Sequence, residues 1–291
     1  MIISIAGAPL LEQTLGALAL QNPEPPSEVI VVRRTEDANA DARNLSALCT
    51  GARVVNETGN VPRRRARGIA EARGEVIAII EDTCVPAPGW ARAIRSAHAR
   101  GDAAVGGSVI PAPGLPAASA AAFLVEFGAY LPSDGGAAHE ALHLPGCNLS
   151  YSRALLDANH DAWRDGLYET FFNARSAERG ARVSFEPAAL VVYGARTTLA
   201  RAMSDRFHHG RTYGGIRHRG RGLARFAIAA AGALLVPLIA LRIARSISRA
   251  GSHGRRLWSA YPWTLPLAVA WAAGESLGAL AGAGSSPEKW S

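Results

Sequence analysis

Lysine is nearly missing from this chain. Of 31 Lys and Arg residues among 291, only Lys289 is a lysine. Arginine therefore carries the positive charge, as a planar fork of donors suited to carboxylates and phosphates. Cysteine is also scarce: Cys49, Cys84 and Cys147 are isolated, odd in number and without C-x-x-C spacing. That argues against a disulfide framework or a cysteine-based zinc site, and it fits a reducing compartment. The N-terminal stretch "MIISIAGAPLLEQTLGALALQ" has no basic lead and is interrupted by Glu12 and Gln13. Despite its signal-like "ALA", it reads as the first strand and helix of a cytoplasmic domain. A Gly-rich phosphate loop is lacking too, since "AGAPLLEQ" holds only Gly7, which argues against a nucleotidyltransferase.

What charge there is lies unevenly. Residues 201–256 hold twelve arginines against a single acid, Asp205, a net +11 in a chain whose total is +7, so the remainder is net −4. The basicity belongs to one segment. Few aromatics are interleaved with these arginines for base stacking, so nucleic acid is not the expected partner.

The first part of the chain alternates short β-branched runs with helical stretches. "IISIAG" (2–7), "EVIVV" (28–32), "RVV" (53–55) and "EVIAII" (75–80) read as strands, with helices over 9–21 and 62–73 and Gly74 as a stop. This order predicts an α/β fold with a mostly parallel sheet flanked by helices. Ligands of such sheets bind beyond the carboxyl ends of the strands. Further on, 119–131 and 167–179 read as helices, 132–146 as a flexible loop and candidate lid, and 181–193 as strands. "CNLSYSRALL" reads as an entry into a helix.

Past residue 200 the character changes. "FAIAAAGALLVPLIAL" (226–241) has sixteen residues without a charge, and "LPLAVAWAAGESLGALAGAG" (265–284) contains only Glu275. A bilayer core takes about 20 apolar residues, so the first is slightly short and the second is interrupted. The basic flank, with Trp258, Trp263 and Trp271 nearby, favours membrane association. The alternative is a pair of Ala-rich helices packed on the domain, and a spanning hairpin and an interfacial pair both stay open. The expected division is 1–200 for the α/β domain, 201–225 for a basic juxtamembrane segment and 226–284 for two apolar helices.

"EVIAIIEDTCVPAPGW" (75–90) ends an apolar strand in two adjacent acids, Glu81 and Asp82. Two carboxylates at a strand tip suit Mg²⁺ or Mn²⁺ bridging a diphosphate. A helix N-cap beside a surface acid would look the same.

Several motifs then occur in one order: "RRRARGIAEARGEVIAIIEDTCVPAPGW", "LPGCNLSYSRALL" and "GLYETFFNARSAERGARVSFEPAALVVY". Together they resemble the family 2 glycosyltransferases of the GT-A fold over roughly 1–225, and "WAAGESLGALAG" looks like the membrane-associated tail of some bacterial members. The resemblance implies the following. Glu81, Asp82 and Thr83 fall at the D-x-D-type motif that contacts the metal and the donor diphosphate. Arg65 falls beside the nucleotide, with Ala66 in place of the usual asparagine. Gly146, Cys147 and Asn148 match a G-x-N segment shaping the donor and acceptor pocket. Glu169, in "YETFF", matches the first acid near the acceptor and would be the base of an inverting transfer, in a pocket that raises its pKa toward neutrality. The alternative is a first-turn helix acid stabilised by the dipole, and the surrounding motifs favour the base.

The departures from the family concentrate on the metal. Thr83 replaces a second metal-binding residue, Thr170 the second acid of the later pair, and Tyr193 a histidine that often helps bind metal. The second strand leads into Arg33 and Arg34 where an Asp contacting base or ribose is usual, leaving Glu36 or Asp37 as stand-ins. Glu81 and Asp82 are then the only evident metal ligands, and the expected Mg²⁺ or Mn²⁺ binding is weak or dispensable. Arginines such as Arg65, Arg211 or Arg217 would cover the diphosphate. His208 and His209 read as solvated residues of a basic helix. The implied partners are a nucleotide-sugar donor, a lipid-linked or saccharide acceptor and the cytoplasmic face of the plasma membrane, as in cell-envelope polysaccharide synthesis. A catalytically weakened GT-A domain acting as a nucleotide-binding or scaffold protein is the alternative.

Overall fold

The structure, a computed structural model, describes residues 2–3, 10–22, 25–34, 45, 48–49, 51–220 and 222–289. Gly7, Glu36 and Asp37 lie outside the described residues. The chain divides into two compact units, one of Met1–Ala112 with Gly135–Ala195 and one of Pro113–Asp134 with Arg196–Ser291.

The first unit is built on a nine-stranded sheet. Its strands are β1 (Ile2–Ile3), β2 (Val29–Arg33), β3 (Ala52–Asn56), β4 (Val76–Glu81), β5 (Cys84–Pro86), β6 (Ala104–Pro111), β7 (His139–Glu140), β8 (Asn148–Ser152) and β9 (Val183–Tyr193). The spatial order is β3-β2-β1-β4-β8-β6-β9-β5, with β7 also on β9. Pairing is parallel through β3-β2-β1-β4, as the β-branched runs predict. Beyond β4 the sheet is mixed: β8 runs antiparallel to β4 and β6, whereas β9 runs parallel to β6.

Helices α1 (Leu10–Ala19), α2 (Val61–Glu71), α3 (Trp90–Ala99), α5 (Arg153–Ala158) and α6 (Glu169–Glu178) belong to this unit, and α4 (Ala117–Phe127) to the other. The start of α2 is written locally. Asn60 caps it by accepting from Arg63 N at 3.2 Å, and Pro62 sits in the first turn, where a missing N–H costs nothing. Its end does not use a left-handed glycine. Ala72 turns extended, and the Arg153 guanidinium donates to the carbonyls of Ala72 and Gly74.

Two glycines explain why β6 can exist. A Cβ on Gly107 would lie 1.9 Å from Ala189 O, and one on Gly106 would lie 2.8 Å from Leu144. The segment 132–146 is less free than its composition suggests, because β7 pairs with β9 and Ala141 N donates to Val183 O at 3.0 Å.

The second unit is helical: α4, α7 (Leu199–Arg217), α8 (Ala224–Ala230), α9 (Leu235–Arg249), α10 (Gly251–Arg255) and α11 (Thr264–Ala281). A 3₁₀ turn, Ala231–Leu234, joins α8 to α9, so Pro237 falls in the first turn of α9 and breaks nothing. Helices α7 and α11 meet through reciprocal glycines. A Cβ on Gly210 or Gly214 would strike the carbonyl of Trp271 or Glu275 at 2.5 and 2.4 Å. On Gly274 or Gly278 it would strike the carbonyl of Phe207 or Arg211 at 2.1 and 2.3 Å. Small-xxx-small spacing on both helices thus permits backbone contact. Glu275 is buried there, accepting from Arg217 at 2.6 Å and Trp271 Nε1 at 2.8 Å.

Candidate functional site

Three segments distant in sequence deliver the candidate site to the carboxyl end of the parallel strands. β4 ends on Glu81, beside Ile3 of β1. The chain then turns through Asp82 and Thr83 into β5, which is held against the end of β9 by pairing of Cys84 with Tyr193 and a bond from Gly194 N to Thr83 O at 2.8 Å. Leu167 N donates to Pro62 O at 2.9 Å, docking the approach to α6 on the start of α2. Arg65 of α2 therefore faces Glu169, the first residue of α6.

Arg65 is the hub. Its Nη1 lies 2.5 Å from Glu169 Oε2, its Nη2 lies 3.0 Å from Glu81 Oε1, and Nη2 also donates to Gly146 O at 3.2 Å. The arginine side chain is 4% exposed, and those of the two acids are 12% and 14%. A guanidinium shared between two nearly buried carboxylates is strongly held, because loss of any member leaves charge without water to compensate. Gly146 makes the arrangement sterically possible. A Cβ there would approach Arg65 Nη2 to 2.6 Å and Glu169 Oε1 to 3.1 Å.

Of the residues named from sequence, the structure thus brings together Arg65, Glu81, Gly146 and Glu169. Asp82 sits in the adjoining turn, fully buried. Asn148 is adjacent in sequence but differently employed. Its Nδ2 donates to Ser108 O at 3.0 Å and Ala189 O at 2.7 Å, and its Oδ1 accepts from Trp90 Nε1 at 2.8 Å. These bonds tie β6, β8, β9 and α3 together, so Asn148 braces the floor of the site. The tryptophan after the Pro-rich turn is the far end of that brace.

Tyr151, on β8, is a neighbour that sequence alone did not single out. It is fully buried, and its hydroxyl donates to Asn173 Oδ1 at 2.9 Å. Burial pushes its pKa up and the Glu169 charge adds to this, while Arg65 and the Asn173 bond pull the other way. Strand alternation in "NLSYS" is the signal that could have placed it inward.

Among the described residues no group of three or more His, Cys, Asp or Glu could hold a metal ion. Arg211 and Arg217 are engaged within the second unit, by Gly282 O and by Glu275. His208 meets Ser286 Oγ at 3.0 Å and His209 stacks edge-on against Trp271, so both histidines take part in packing.

No protein-family profile and no curated protein matches this chain. Solved structures do. A mannosyltransferase from Pyrobaculum calidifontis in complex with GDP-Man and Mn²⁺ superimposes over 96% of this chain and 86% of its own, at 18% identity and a TM-score of 0.55. GalNAc-T7 with UDP, GalNAc and Mn²⁺ superimposes over 67% of this chain at 10% identity and a TM-score of 0.52. This chain spans only 43% of the GalNAc-T7 chain. The fold is that of the GT-A glycosyltransferases.

Proposed function

We propose that this chain is an inverting glycosyltransferase. It moves a sugar from a nucleotide-sugar donor to a lipid-linked or saccharide acceptor at the cytoplasmic face of the plasma membrane. The observation that carries this reading is the Arg65 bridge between Glu81 and Glu169 at the carboxyl end of the parallel strands of a GT-A fold. Both solved neighbours contain a nucleotide, which supports a nucleotide-linked donor here.

The chemistry needs two things from the protein. An acceptor hydroxyl attacks the anomeric carbon opposite the leaving diphosphate, so a carboxylate must take its proton and a cation must absorb the leaving charge. In this reading Glu169 takes the proton and Arg65 absorbs the charge. A diphosphate competes with Glu169 for the same guanidinium, so donor binding draws Arg65 away and releases the carboxylate to act as base. The basic segment and apolar helices of the second unit favour a membrane-borne acceptor.

Both neighbours were solved with Mn²⁺. Glu81 and Asp82 are only two carboxylates, one of them shared with Arg65, and with the Thr83 hydroxyl they are a poor fit to a tightly held divalent ion. Arg65 takes over neutralisation of the leaving diphosphate. Thr83, Thr170 and Ala66 favour a second reading, a weakened GT-A domain that binds nucleotide as a scaffold. Thermal stabilisation by a panel of nucleotide sugars, with and without Mn²⁺, tests the donor class. Stabilisation by no nucleotide sugar would remove both readings.

A further inference from the structure

We infer that the helix Ala224–Arg249 lies in the plane of an anionic bilayer surface and does not cross it, and that Trp258–Ala281 is a packing helix, not a membrane span. The inference rests on the membrane reading above and sharpens it to one geometry. Both helices are long and apolar enough to cross a bilayer, so length alone does not separate the cases.

Trp258–Ala281 already has a protein partner. Its glycines interlock with those of α7, and Glu275 is buried against Arg217 and Trp271. Helix α7 carries Arg201, Asp205, Arg206, Arg211 and Arg217, a charge load that hydrocarbon does not accept. Whatever packs backbone to backbone with α7 stays out of the hydrocarbon with it.

Ala224–Arg249 is the opposite case, since most of its apolar stretch is not buried within the protein. Leu234, Leu238 and Leu241 fall on one helical face and are 64%, 60% and 46% exposed, while Ile243, Ser246 and Ile247 are buried within the unit. The helix therefore has an inner face that is packed and an outer apolar face that is not.

Charge selects the occupant and the geometry. No Asp or Glu occurs between Asp205 and Glu275, so nothing on this stretch repels an anionic headgroup. Arginines bound the apolar run on both sides: Arg217, Arg219 and Arg225 before it, and Arg242, Arg245, Arg249, Arg255 and Arg256 after it. A crossing helix would carry one of these clusters to the far side, against the preference of arginine for the cytoplasmic side. A helix lying in the interface leaves both clusters in one headgroup layer, their stems covering apolar surface and their heads in water. Trp258 and Trp263, 42% and 47% exposed, suit the same layer. A second copy docking on this face would set the same arginines against one another, which disfavours it.

The test uses the full chain with vesicles of phosphatidylcholine alone, and of phosphatidylcholine and phosphatidylglycerol in equal parts. Binding is expected only to the anionic vesicles, weakening as salt rises from about 0.1 M to about 0.5 M. Replacing Leu234, Leu238 and Leu241 together by glutamate should weaken it about a hundredfold or more. Replacing Arg242, Arg245 and Arg249 by glutamine leaves the apolar face intact and should remove the preference for the anionic lipid. Single cysteines introduced as Leu223→Cys and Ser252→Cys report the geometry, because the native cysteines are buried. Both should react with an impermeant maleimide from outside the vesicle. Reaction at one end only would show a crossing helix and overturn the inference. So would equal binding to both vesicle types, or a dimer in solution that binds neither. None of these readouts requires sugar transfer, so a failure of the enzymatic reading leaves them unaffected.

Discussion

Arg65 Nη1 meets Glu169 Oε2 at 2.5 Å across 104 residues of sequence, and the same guanidinium holds Glu81 at 3.0 Å. The candidate base and the strand-tip acid therefore share one cation. Replacing Arg65 by methionine keeps the volume and removes the charge, leaving two nearly buried carboxylates without the arginine. The expected loss is about 3–5 kcal/mol of folding stability, read by urea unfolding. Adding Glu169→Gln should restore part of it, because residues in one ion-pair network are not additive. Unchanged unfolding of Arg65→Met would show that the bridge does not exist in solution.

Glu169 itself is tested against an acid on the same helix. Glu169→Gln keeps a hydrogen-bonding group but cannot accept the hydroxyl proton, so transfer should fall by about 10²–10⁴-fold. Glu178, exposed at the far end of α6, should tolerate the same change without loss. Equal losses in both variants would assign Glu169 a role in helix stability only.

Gly146 and Gly107 are both glycines in tight places, yet their alanine variants should fail differently. At Gly146 the new methyl pushes the end of the Arg65 side chain off its two carboxylates, so sugar transfer should drop and part of the stability held by that bridge should go with it, while the backbone stays in place. At Gly107 it meets Ala189 O at 1.9 Å, backbone that cannot move without breaking the β6–β9 ladder. Gly107→Ala should be recovered poorly or melt early. Activity assays and thermal melts on the two variants together separate the outcomes.

His98 gives the fold an acid-sensitive point. Burial lowers its pKa below the ordinary 6.5, an effect that the nearby Asp102 charge opposes without reversing, and a ring nitrogen meets Ser150 Oγ at 2.8 Å. Between the lowered native value and 6.5 the unfolded chain binds the proton more readily, so stability rises with pH in that window. The contribution is complete above 6.5 and is lost as pH falls through the native value. Unfolding measured across this range should steepen on acidification, and His98→Gln should flatten the dependence.

The parallel half of the sheet was legible because β2 and β4 are β-branched runs ending at turn residues, and the helix between β3 and β4 begins at a capped proline. The antiparallel half was not. No strand is assigned to β6 from sequence, and its Gly106 and Gly107 are required by close packing against Leu144 and Ala189. β8 reads as the entry to a helix; inside the sheet, the hydroxyls of Ser150 and Tyr151 meet His98 and Asn173. Arg65, Glu81, Gly146 and Glu169 could each be proposed from motifs, but their meeting could not, because the contacts span 16 to 104 residues. Glu275 reads as an interruption of an apolar helix for the same reason. Its partner Arg217 lies 58 residues away.

The most direct measurement is nucleoside diphosphate release across a panel of nucleotide sugars, with lipid extract as acceptor, in Mn²⁺ and in EDTA. The Arg65 mechanism predicts turnover with one donor class, retained in EDTA because the guanidinium neutralises the diphosphate. Nucleotide binding without turnover by any donor, or turnover that vanishes strictly with the metal, would contradict it.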